Sequence, residues 1–159
     1  MFDTLTKIKN LLETNFGKGG VIKDYFIDDP NLIPVSSLPC IAISPVSTDI
    51  NIADTGRDSF TFAIDVILII DAKMELSKYK GEMVGTQFLA ETMERKDSSG
   101  NLEANSILYV LRKNMDLGDN WYIQNISRVD YGLRVRSEQL ITKEASCRIE
   151  VIRYNNRPT

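Results

Sequence analysis

The sequence predicts an α+β fold: an antiparallel sheet with helices packed mainly on one face and an N-terminal helix first. Three observations carry this. The apolar patterns run helix, strands, helices, strands, without the strand–helix alternation of doubly wound proteins. Residues 58–71, "DSFTFAIDVILIID", place Phe60, Phe62, Ile64, Val66, Leu68 and Ile70 on one strand face without interruption. Near the end of the chain, Ala145, Cys147, Ile149 and Val151 alternate with Ser146, Arg148 and Glu150, the signature of a half-solvated antiparallel strand. At 159 residues the chain suits one domain, 1–159, large enough to bury a core.

The elements follow in order. Phe2, Leu5, Ile8, Leu12 and Phe16 recur at spacings of three and four, which predicts a helix with Asp3 as N-cap and "GKGG" at 17–20 as its stop. "VIKDYFI" reads as a short strand, and "DDPNLIPVSSLP", with three prolines, as a loop. "CIAIS" is a strand closed by Pro45. After a turn at "ADTGRD" comes the long strand 58–71. "AKMELSKYKGEMVGTQFLAETMERK" is helical in composition, with Gly81 and Gly85 weakening its middle. A second helical stripe runs through Ala104, Ile107, Leu108, Leu111 and Met115, and "DLGDN" ends it. Residues 121–136 read as a strand whose apolar phase slips near Asn125 and Ile126, as at a bulge. Trp121, Val129, Tyr131 and Leu133 would form its core face, with Arg134 and Arg136 on the wet one.

The strand 58–71 poses a problem. Its other face begins polar, at Thr61, Ala63 and Asp65, and then turns apolar at Ile67 and Ile69. Either the sheet curls over these two side chains or another subunit covers them. Arg134 and Arg136, beside Trp and Tyr, suit the rim of a protein–protein contact. The candidate interface residues are therefore Arg57, Ile67, Ile69, Arg134 and Arg136.

Composition narrows the function classes. A hydrophobic content of 43% and a charged content of 26% are those of a soluble globular protein. The net charge of −3, with no basic run, gives no footprint for gripping nucleic acid. No apolar run approaches the roughly 20 residues needed to cross a bilayer. The charged N-terminal stretch lacks a secretory h-region. Two cysteines, Cys40 and Cys147, in strand-like segments read as buried thiols of a protein made in a reducing cytoplasm and not exported.

Catalytic signals are thin. The absence of histidine removes the commonest general base, the Ser-His and Cys-His nucleophile systems and histidine metal ligands. "GKGG" lacks the spacing of a phosphate loop, and two cysteines make no zinc site. Asp28 and Asp29 precede Pro30 and read as a turn, not a metal site. Asp54-Thr55-Gly56 matches the aspartic-protease triplet, in which two carboxylates share a proton. Arg57 stands where those enzymes place a small residue, no second signature follows, and the helix-rich middle is foreign to them. The simpler reading is a polar turn, so no enzyme and no cofactor are expected.

A short N-terminal helix, "LPCIAIS", "FTFAIDVILII", a helix ending "NSILYVLRKNM", "WYIQNISRVDYG" and a closing "EASCRIEVIRY" strand together resemble the tail terminator (tail-completion) proteins of long-tailed bacteriophages. The resemblance covers most of the chain and rests on element order and character. "VIKDYFIDDPNLIPVSS" fits it least and reads as a local elaboration. It implies a virion protein, assembled in the host cytoplasm, whose subunits form a ring, typically a hexamer, on the last ring of the tail tube. Such a ring stops tube polymerisation, meets the tail tube protein on one side and the head or neck connector on the other, and lets DNA pass without specific binding. The neighbouring reading is a head–tail joining protein; a monomeric cytoplasmic binding domain is the alternative of another class.

Overall fold

The computed structural model describes residues 1–73, 78–79 and 83–157. Among them the order is α1 (Phe2–Phe16), β1 (Asp24–Ile27), β2 (Cys40–Ile52), β3 (Arg57–Asp71), β4 (Lys78–Tyr79), β5 (Met83–Val84), α2 (Gly85–Glu94), α3 (Ile107–Lys113), β6 (Asp116–Gly118), β7 (Trp121–Ser137) and β8 (Leu140–Asn156). A six-stranded sheet in the order β1-β2-β3-β8-β7-β6 curls into a half-barrel. β4 and β5 form a separate two-stranded ribbon. The fold is α+β, as the pattern predicts.

The sheet is mixed, where a purely antiparallel one is expected. β1 runs parallel to β2, with Asp24 opposite Cys40 and Ile27 opposite Ile43. The reason is the 28–39 segment, which carries the chain back along the sheet before β2 begins; a parallel pair needs such a return and a tight hairpin cannot supply it.

β3 is one continuous strand, and its even side chains lie where the alternation puts them. Phe62, Ile64, Val66, Leu68 and Ile70 are buried in one cluster with Leu5, Ile8 and Leu12 of α1, Phe88, Leu89 and Met93 of α2, and Ile107, Leu108 and Leu111 of α3. Phe60 packs against it, partly buried.

Several local expectations need correction. Met1, not Asp3, caps α1: its carbonyl accepts from Thr4 and Leu5 at 3.0 and 3.1 Å. Asp3 sits in the first turn, where the helix dipole favours an acid. The helix does stop at Gly17, whose φ of 73° suits a residue without a Cβ. The expected helix across "AKMELSKYKGEMVGTQFLAETMERK" is restricted to α2, from Gly85, because β4 and β5 precede it; residues 74–77 and 80–82 of that stretch lie outside the described ones. β2 does not close at Pro45 but slips register between Pro45 and Ser47 and continues, so the imide without an N–H stands at the irregularity. α3 begins later than its stripe, at the Ser106 cap, whose Oγ accepts from Tyr109 N at 3.4 Å, and it ends before Met115.

β7 slips near Asn125 and Ile126 as its sequence indicates, with irregularities between Ile123 and Asn125 and between Ile126 and Val129. The slips cancel, so Trp121, Val129, Tyr131 and Leu133 share one face as expected, opposite Arg153, Cys147, Ala145 and Lys143, but the core covers only part of that face. Trp121 is buried against Phe62, ring centroids 5.1 Å apart, whereas Tyr131 and Leu133 are exposed.

Candidate interaction surfaces

Ile67 and Ile69 have their cover inside the chain. They are 8% and 0% exposed and belong to a second buried cluster with Ile33, Leu38, Cys40, Ala42 and Leu140, with Phe26 packed against it. Ile33 and Leu38 come from the proline-rich 28–39 segment, which lies across this face of β2 and β3. The apolar patch that marked the two isoleucines as interface residues is therefore a small core of the subunit itself.

Arg136 lies on the expected side of β7, away from the helices, but that side is not wet there. Its side chain is 0% exposed and lies between Asp29 and Glu144. Nη1 donates to Asp29 Oδ1 at 2.7 Å and to the Pro30 carbonyl at 2.6 Å, while Nε and Nη2 donate to Glu144 Oε1 at 2.8 and 2.6 Å. Thr142 Oγ1 donates to the same Glu144 oxygen at 2.6 Å. Burial opposes the charge of Arg136, but its bonds and proximity to the two carboxylates outweigh it and hold the guanidinium pKa above its ordinary value. Arg134, half-exposed, pairs with the other oxygen of Asp29.

The network explains why the 28–39 segment stays on the sheet. Asp28 turns the chain with a φ of 74° and accepts from Asp29 N at 2.8 Å, which leaves the Asp29 carboxylate free to reach the two arginines. Sequence reasoning marked the arginines and missed Asp29, Thr142 and Glu144 as their partners. A signal was present: Arg134 lies opposite Thr142 across the β7–β8 hairpin, so Arg134, Arg136, Thr142 and Glu144 share a face.

Arg57 lies in the turn between β2 and β3, and the turn is tied to itself. Asp54 Oδ1 accepts from Gly56 N at 2.9 Å and Oδ2 from Arg57 Nε at 2.7 Å. Arg157 donates to the Asp54 carbonyl at 2.8 Å and to Asp58 Oδ1 at 2.7 Å. The Gly56 amide, then Arg57, hold the Asp54 carboxyl below the usual carboxylate range. A shared-proton dyad needs the opposite bias in one of its carboxyls, so this triplet is built as a turn.

Other surfaces stand open. β1 pairs with β2 only as far as Ile43, and β6 meets β7 only at Trp121 and Tyr122. Among the described residues, the outer edges of β2 beyond Ser44 and of β7 beyond Ile123 carry no partner strand. The β2–β3 hairpin presents Ile50 and Ile52, 63% and 78% exposed. At the opposite end of the sheet the β7–β8 hairpin exposes Leu133, Val135 and Ile141 on one face. A cleft of about 890 Å³ lies between α3, the 96–102 turn and the bulged edge of β7, with Leu102, Leu108, Ile126 and Val129 at its floor. Lys96, Arg112, Lys113 and Arg128 line it against one acid, Glu94.

Cys40 and Cys147 are free and buried, and burial pushes both thiols up to about 12, so neither is a nucleophile near neutral pH. Among the described residues no group of three His, Cys, Asp or Glu is placed to hold a metal ion. No helix among them is long and apolar enough to cross a membrane. No protein-family model matches the chain, and no curated protein matches it.

Proposed function

We propose that this chain is a structural subunit of a bacteriophage virion, forming a ring that caps the tail tube, stops its polymerisation and offers a docking surface to the head or neck. The observation that carries the reading is the placement of open surface: unpaired strand edges on opposite sides of one sheet, and exposed apolar strips at its two ends. Surfaces on opposite sides of a subunit cannot be satisfied by one two-fold partner, but head-to-tail repetition satisfies both, and closed rotation gives a ring. Exposed contiguous apolar strips mark contact sites with other macromolecules. The reading takes the helices to lie mainly on one face of the sheet, which their shared cluster with the even side chains of β3 supports. A bound turn at Asp54 and inert thiols favour surface complementarity over chemistry.

Electron microscopy of particles lacking the protein tests the role. Overlong tails are expected. Tails of normal length that fail to join heads would make this a head–tail joining protein, and a stable monomer at micromolar concentration would remove the ring.

A further inference from the structure

The cleft between α3, the 96–102 turn and the bulged edge of β7 combines two features. The first is its floor. Leu102, Ile126 and Val129 are half-buried side chains packed against the main core, so that core comes to the surface at this point. With Leu108 they give an open cleft of about 890 Å³ an aliphatic base, a size at which clefts hold ligands. The second feature is its rim. Many cations elsewhere in the chain meet acids: Lys7 meets Asp119, Arg57 meets Asp54, Arg148 meets Asp65 and Arg157 meets Asp58. Lys96, Arg112 and Lys113 meet no carboxylate among the described residues, and Lys113 lies 5.9 Å over the Tyr109 ring. Arg128 pairs with Asp130 at 3.0 Å, but their side chains are 86% and 65% exposed, so the pair contributes little. The one acid lining the cleft, Glu94, stands beside the Tyr131 hydroxyl. In a chain of net charge −3, unpaired cations from the 96–102 turn and from α3 thus converge on one apolar floor.

We infer that this cleft is a docking groove for an acidic peptide segment of another protein, whose apolar side chains seat on Leu102, Ile126 and Val129 and whose carboxylates meet Lys96, Arg112 and Lys113. Charge complementarity selects the partner: carboxylates at the rim gain cations that the chain itself leaves unpaired, and the apolar floor fixes what stands between them. The same floor disfavours a nucleic acid. A polynucleotide wants aromatic platforms and a tract of cations along its backbone. Here the base is aliphatic, Lys113 takes the Tyr109 face, and Glu94 lines the groove. The irregularities of β7 between Ile123 and Val129 twist its edge out of regular pairing, so side chains make the contact and no strand is added. A single copy carries the whole groove, so the assignment does not depend on the ring.

The test selects short random peptides, displayed on yeast, against the full chain and measures binding of the selected, labelled peptides by fluorescence anisotropy. Peptides rich in Asp and Glu around large apolar residues are expected, with an affinity that falls as salt rises. Arg112→Glu, at an exposed position, should weaken them about tenfold or more with an unchanged circular dichroism spectrum, because an attraction becomes a repulsion. Leu102→Ala should weaken them through the floor. Lys23→Glu, the same charge change at an exposed cation outside the cleft, should leave them unaffected. Selected peptides without acidic enrichment, or acidic ones that bind Arg112→Glu as well as wild type, overturn the assignment. Two rival occupants are read alongside. Oligothymidine that displaces the peptides and itself loses affinity on Arg112→Glu would give the cleft to nucleic acid. Equal masses by light scattering are expected for wild type and Arg112→Glu, and a smaller species for the variant would give the cleft to a second copy. Either result overturns the acidic-peptide assignment, whereas the ring reading stands or falls on the wild-type mass alone.

Discussion

Replacing Arg136 by Met is the most informative single change to the subunit. The side chain keeps an unbranched apolar stem and loses the guanidinium, so the packing of the stem persists while two carboxylates lose a charged partner. Glu144 forfeits the bonds at 2.8 and 2.6 Å and keeps only the Thr142 hydroxyl. Asp29 forfeits the bond at 2.7 Å and keeps the half-exposed Arg134. Breaking a buried ion pair from one side costs about 3–5 kcal/mol, and the remaining partners place this case near the lower end, about 3 kcal/mol. For a chain of this length each kcal/mol lowers Tm by about 2–4 °C, so a drop of roughly 6–12 °C is expected. Followed by the fluorescence of the single tryptophan, Trp121, urea unfolding measures the free-energy loss and thermal unfolding the Tm shift. Two controls sharpen the result. Arg134→Met, at an exposed pair, should cost under about 1 kcal/mol. The neutral triple variant Asp29→Asn, Arg136→Met, Glu144→Gln should recover most of the loss, because a buried network contributes little net stability over a neutral replacement. The reasoning fails if Arg136→Met costs no more than Arg134→Met, or if the triple variant is less stable than the single one.

Three further outcomes follow from the same geometry. Ile67→Asp should unfold or strongly destabilise the subunit, by about 4 kcal/mol or more, since it places a charge in the second core; a folded variant with altered assembly would return Ile67 to an interface. Asp54→Asn should leave the fold and the assembly unchanged by circular dichroism and light scattering, because an amide oxygen still accepts from Gly56 in the turn; a peptidase activity lost on this change would refute the turn reading. Cys40 and Cys147 should resist a thiol reagent at pH 8 in the native state and both react in denaturant. The sign of their pH effect is fixed: below about 9 both states keep the thiols protonated, and between 9 and about 12 only the unfolded chain ionises, so stability should fall as pH rises through that window.

The sequence by itself determined the elements whose pattern is local. Alternation along 58–71 is enough to place β3 and to choose its core face, because a strand scatters side chains to two sides with a period of two. The stripe Leu5, Ile8, Leu12 does the same for α1, and the phase slip near Asn125 marks the irregularity in β7. What covers the other face of β3 was not legible. Ile67 and Ile69 announce that they need cover, but the cover comes from Ile33 and Leu38, some thirty residues away, in a proline-rich segment with no periodicity to read. Arg136 has the same character: alternation places it on the side away from the helices, and only the return of the 28–39 segment across that side buries it against Asp29. Even the direction of β1 depends on that return. Local periodicity reports which side of an element is apolar. Which distant segment lies against that side is decided by how the chain closes on itself, and that lives in the tertiary structure alone.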